Sequence, residues 1–253
     1  MKLQKGIAMA VVLPAMFSLT SANAGEWQVM IEPYIMASTI EGDASWGTIA
    51  DTEVDLDFSD LRENLHAAGM LRYEAFHSSG WGVMADYGFM TQKKNFTGPK
   101  DGKIKAKVTQ GVFQFEGAYR VNYGSANLDY SVGFRKWNNR LAVTLAPQGI
   151  EKELTRKTKE SWFDLFVGAR WTAEINDNWS YMLRGDIGGL GLEADFTAGL
   201  TAGVQYHINN TMTIDAQYKT TWVDYSTGKA GEQGSFAYDT VTHGPILGFI
   251  YRF

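Results

Sequence analysis

The chain has 253 residues, with Lys plus Arg 23, Asp plus Glu 28, no cysteine and a formal charge of −5. That balance excludes a disulfide scaffold, a cysteine-ligated zinc site and a thiol nucleophile, and it leaves no basic surplus for nucleic acid. Past the N-terminus no apolar run approaches the roughly 20 residues of a membrane helix. Aromatic residues nevertheless make up 13% of the chain and glycines number 27, a mixture suited to strands, tight turns and interfacial rings.

Residues 1–24 read as an export leader. Lys2 and Lys5 give the positive start, Gly6 to Leu19 an apolar stretch too short to stay in a bilayer, and Ala22-Asn23-Ala24 a cleavage site. Cleavage after Ala24 leaves residues 25–253 as one domain with no linker.

From Trp27 onward the hydrophobic period is 2, not 3.6, through ten segments. The first sets Trp27, Val29, Ile31, Pro33 and Ile35 against Gln28, Met30, Glu32, Tyr34 and Met36. The second sets Leu71, Tyr73 and Ala75 against Arg72, Glu74 and Phe76; the third sets Trp81, Val83, Ala85, Tyr87 and Phe89 against Asp86. The fourth places Phe113, Phe115 and Tyr119 opposite Glu116 and Arg120, and the fifth places Tyr130, Val132 and Phe134 opposite Asp129 and Arg135. Asp164 and Arg170 interleave Phe163, Leu165, Val167 and Trp171; Arg184 and Asp186 follow Trp179, Tyr181 and Leu183. The eighth runs from Phe196 to Tyr206. The ninth alternates Ile214, Ala216 and Tyr218 with Asp215, Gln217 and Lys219, and the tenth alternates Leu247, Phe249, Tyr251 and Phe253 with Gly248 and Arg252.

Every charge in the middle of a segment falls on the non-apolar parity. Connections alternate short (near 78–79, 122–125, 176–178 and 209–210) with longer ones (about 39–64, 92–108, 138–159, 188–194 and 226–237). Such alternation fits an all-β, ten-stranded, antiparallel up-and-down transmembrane barrel, with short periplasmic turns and longer extracellular loops. The apolar parity then faces lipid. The lumen receives Glu32, Arg72, Glu74, Asp86, Glu116, Arg120, Asp129, Arg135, Asp164, Arg170, Arg184, Asp186, Asp215, Lys219 and Arg252, which should interlock in a barrel this narrow.

The last segment, Leu247-Gly248-Phe249-Ile250-Tyr251-Arg252-Phe253, resembles the terminal signature of Gram-negative outer-membrane barrels. The resemblance implies that Phe249, Tyr251 and Phe253 are read by the barrel-assembly machinery. Glu32-Pro33-Tyr34, Val54 to Leu61, Asn64-Leu65, Glu74-Ala75 and Trp81-Gly82 are similar to a group of uncharacterised outer-membrane proteins, which implies a fold and a location but no activity.

The segment 41–63 holds eight acids and reads as a solvated loop facing the bases of 93–107 and 140–159, with lipopolysaccharide as partner. An EF-hand is excluded because Leu56 stands where its glycine would be. Asp57 to Asn64 has the spacing of a short capped helix, and a strand extension is the alternative. Outer-membrane proteases of similar strand number rely on lumenal Asp and His near the outer rim; no such pair is evident, and Ser59 with His66 is too common a pairing to signal an enzyme. No metal site or cofactor is expected. The expected role is structural or envelope-contact, with a filled lumen; a narrow channel is the alternative, and a lipid-modifying enzyme ranks third. Pro33 and Pro245, on strands that closure makes neighbours, mark a candidate lateral seam.

Overall fold

The computed structural model describes residues 26–46, 49–56, 65–97, 103–146, 154–229, 232 and 234–253. The leader 1–24 and the helix expected at 57–64 lie outside these residues. Twelve strands are described: β1 (Trp27–Met36), β2 (Thr39–Trp46), β3 (Ile49–Leu56), β4 (Leu65–His77), β5 (Trp81–Thr97), β6 (Lys103–Asn122), β7 (Ala126–Ala146), β8 (Leu154–Asn176), β9 (Trp179–Gly189), β10 (Phe196–His207), β11 (Met212–Thr227) and β12 (Phe236–Arg252). From β4 to β12 each pairs antiparallel with its successor, and β1 pairs with both β4 and β12, which closes a ten-stranded barrel.

Short turns share one end with the start of β1 and the end of β12, and their residues explain them. Asn176 Oδ1 accepts from the backbone N–H groups of Asn178 and Trp179, and Asn209 Oδ1 accepts from those of Thr211 and Met212. Each side chain thus mimics a turn carbonyl. Gly80 and Gly124 take positive φ at the other two turns.

The apolar parity faces outward throughout. Ile35, Trp81, Val132, Val167, Leu200 and Leu247 are exposed on the outer wall, while Glu32, Glu116, Asp129, Asp164 and Asp215 are buried inside. A water-soluble sandwich would bury the apolar face; this barrel presents it, as lipid contact requires.

The first long connection differs from the loop expected there. Thr39–Trp46 and Ile49–Leu56 pair antiparallel as the β2–β3 hairpin. β2 continues β1 along β12 in unchanged register, Met36 lying across from Ile246 and Thr39 from His243. The interruption at Ala37–Ser38 lies opposite Gly244–Pro245, where proline supplies no N–H. The Pro245 carbonyl still accepts from the Ala37 N–H at 2.9 Å. Extended acid-rich strands escaped notice because above the lipid band no apolar outward face is needed.

The connections 92–108 and 138–159 are also mostly strand among the described residues. β5 and β6 stay paired to Thr97 and Lys103, and β7 and β8 to Leu145 and Leu154. The barrel wall is therefore tall on the β6–β8 side, with strands of 20, 21 and 23 residues, and low at β9 and β10, with 11 and 12.

Candidate functional site

The inward side chains build three layers between the short-turn end and the far end. The first is an open vestibule of about 570 Å³. Met30, Phe76, Asn127, Thr172, Gln205 and Arg252 help to line it.

The second layer is ionic. Strand periodicity delivers each charge inward, and barrel closure sets its partners. Arg170, from β8, reaches Glu74 at 2.5 Å and Asp129 at 2.8 Å; Asp129 also receives Arg120 at 2.7 Å. Arg135 pairs with Asp186 at 2.6 Å and lies 3.7 Å from Asp164, while Arg184 joins Glu116 at 2.9 Å and Asp186 at 3.7 Å. Arg72 bridges Glu32 at 2.9 Å and Asp86 at 3.0 Å. Tyr34 donates its hydroxyl to Asp86 at 2.7 Å and lies beneath the Arg72 guanidinium.

The structure thus places twelve of the fifteen expected lumenal charges in ion pairs. Asp215 instead accepts from the Gln217 amide. Arg252 donates to the Thr213 hydroxyl at 2.6 Å. Lys219 lines a void of about 30 Å³ together with Asp86 and Asp186, room for one or two waters. It supplies positive charge between two ion-pair groups that each hold one more acid than base.

Close packing explains some glycines. A side chain on Gly248 would strike the Glu32 carboxylate, and one on Gly199 would strike that of Asp186. Gly248→Ala should lower stability by about 1–3 kcal/mol through overpacking, read as a lower urea midpoint in vesicles; an unchanged midpoint would mean that Glu32 can swing away freely.

The third layer is aromatic and was not foreseen. Trp162 stacks on Tyr225 at 4.1 Å and on Trp137 at 5.7 Å, and Phe236 and Tyr238 pack beside it. Trp162 is 1% exposed. Trp137 also donates its indole N–H to Asp164 at 2.8 Å, tying this plug to the ionic layer. Its signal was present in the alternation: Trp162, Tyr225, Phe236 and Tyr238 all stand on the inward parity beyond the lipid band.

The prolines are offset. Continuing the register puts Pro33 opposite Phe249 and Pro245 opposite Ala37. Glu32, Arg72 and Asp215 fill the lumen beside this seam, so it opens onto charge rather than an apolar pocket. Phe249 and Tyr251 lie across from Ile214 and Met212, facing outward, and the Phe253 N–H donates to the Val29 carbonyl at 3.0 Å.

Of the histidines, His243 faces outward beside the Tyr218 hydroxyl, and His77 sits at a turn against Glu26. His207 Nε2 lies 3.0 Å from Ser180 Oγ, but its Nδ1 meets the Thr213 hydroxyl at 2.9 Å rather than a carboxylate. Ser59 lies outside the described residues.

Solved structures with this fold include the translocator domain of the autotransporter NalP from Neisseria meningitidis. It aligns over 92% of this chain and 90% of its own, at 12% identity and a TM-score of 0.51. The outer membrane protease OmpT from Escherichia coli aligns over 90% of this chain and 97% of its own, at 8% identity and a TM-score of 0.51. Identities this low establish a shared barrel fold. No known protein family's profile matches the chain, and no curated protein matches its sequence.

Proposed function

We propose that this chain is an integral outer-membrane barrel, exported by a leader at residues 1–24, whose lumen does not conduct and whose role is structural or contact-making. The short-turn end with both termini faces the periplasm, and the tall β6–β8 wall stands outside the cell. Lipopolysaccharide surrounds the outer half of the wall, and the barrel-assembly machinery reads the terminal strand.

One observation carries the non-conducting reading. Along the axis the lumen passes from the vestibule to the Arg72, Arg135 and Arg170 ion pairs and then to the Trp162 plug, all among described residues. Conduction needs a continuous wet path. The Ser180–His207 contact supports no enzyme, because nothing acidic orients the imidazole.

Purified chain in planar bilayers should give no stepwise conductance. Stable unitary steps would overturn this reading in favour of a narrow channel.

A further inference from the structure

Above the outward aromatics the outer wall is sorted by charge. On β5–β8, Lys93 lies across from Lys107, Lys107 across from Ala142, and Ala142 across from Lys157. One row nearer the barrel body, Arg140 lies across from Lys159. Lys105 stands on the same outward parity, and all six bases are exposed. Lys107, Arg140, Lys157 and Lys159 have no ion pair among the described residues.

The opposite wall is acidic. Asp224 of β11 lies across from Asp239 of β12, Asp239 from Asp43 of β2, and Asp43 from Glu53 of β3. Asp224, Asp239, Asp43 and neighbouring Glu41 and Asp195 are exposed. Partial desolvation, then repulsion from Asp239 and Asp195, raises the Asp224 carboxyl pKa.

Directly opposed like charges destabilise a sheet, and here they recur on two walls without mixing. Lys93 is six residues beyond outward Tyr87, and Asp224 is six beyond outward Tyr218, so the rows stand at similar heights. Counting round the barrel from β1, the basic strands are third to sixth, and β11 and β12 are ninth and tenth. The two walls therefore face away from each other.

We propose that these walls are the two halves of one interface, through which copies of this chain associate side by side in the membrane, the basic wall of one against the acidic wall of the next. The proposal rests on the membrane-embedded reading above. A phosphate-bearing lipid would neutralise the basic wall and leave the acidic row repelling itself; a second copy answers both. Contact between opposite sides of the barrel is head-to-tail, so it propagates as a row rather than closing as a two-fold dimer.

The test uses the full mature chain in phosphatidylcholine vesicles free of lipopolysaccharide, with copies labelled at the short-turn end by donor or acceptor dyes. A heat-modifiable gel shift reports insertion independently in every variant, so a failure to insert is distinguishable from a failure to associate. Energy transfer between wild-type copies is expected, weakening with salt. In the K107E/K157E/K159E variant, like charges meet, and association should fall by about a hundredfold. Adding D43K/D224K/D239K to that chain exchanges the two walls and should restore it. Folded wild-type chains that show no transfer, or an exchanged variant that stays apart, would overturn the proposal. A basic-wall variant whose only change is less lipopolysaccharide co-purified from cells would overturn it too, and would assign that wall to lipid.

Discussion

Replacing Phe249, Tyr251 and Phe253 together by Ser is expected to abolish the folded, membrane-inserted barrel. β12 is the strand on which closure depends, because it pairs with β11 along its whole length and with both β1 and β2 on its other edge. The three aromatics occupy the outer face of its final turn-end stretch. Phe249 lies across from Ile214, and Tyr251 lies across from Met212 on one side and Ile31 on the other. Each large apolar side chain contributes about 1.5–3 kcal/mol when withdrawn from water, so the triple loss rivals the whole ~5–15 kcal/mol stability of a domain. The measurement is the heat-modifiable band on an unheated gel, from cells and from refolding into vesicles. A folded band at wild-type level in cells would remove the terminal strand from any role in assembly or closure. Loss in cells with normal refolding in vesicles would isolate recognition by the assembly machinery from intrinsic stability.

Arg170→Met is expected to cost about 3–5 kcal/mol, the range for breaking a buried ion pair by deleting one partner. The two acids it holds are not equally exposed to the loss. Asp129 keeps Arg120, which donates to both of its oxygens at 2.7 and 3.0 Å. Glu74 loses both of its short hydrogen bonds, at 2.5 and 2.7 Å, and is 4% exposed as a residue. The damage should therefore centre on Glu74, and adding Glu74→Gln to Arg170→Met should recover part of the stability. Urea unfolding in vesicles, followed by tryptophan fluorescence, reads both variants. An unchanged midpoint for Arg170→Met would mean that vestibule water solvates Glu74 well enough to make the ion pair dispensable. A double variant less stable than the single one would place the cost at Asp129 instead.

The sequence by itself determined strand, parity and closure. A period of two assigns each residue to one of two faces, and only a barrel in lipid lets the apolar face look outward in all ten barrel strands. The pattern alone thus puts Glu32, Arg72 and Asp164 inside, because a charge among Ile31, Leu71 and Leu165 would face lipid. Periodicity is silent about who meets whom across a lumen. Arg170 finds Glu74, 96 residues away, because closure and strand stagger bring β4 and β8 to the same height, and neither quantity leaves a mark in a two-residue repeat. Arg72 meets Glu32 and Asp86 simply because their strands are adjacent, whereas Trp162 against Tyr225 required β8 and β11 to face each other across the far mouth. The β2–β3 hairpin was hidden for another reason. Beyond the bilayer both faces of a strand can be polar, so Glu41, Asp43, Glu53 and Asp55 read as loop, and only the register of β2 against β12 and of β3 against β2 aligns them in one acidic wall. The sorting of that wall from the basic one of β5–β8 is likewise tertiary, since acids and bases distant in the chain become neighbours only when the sheet closes.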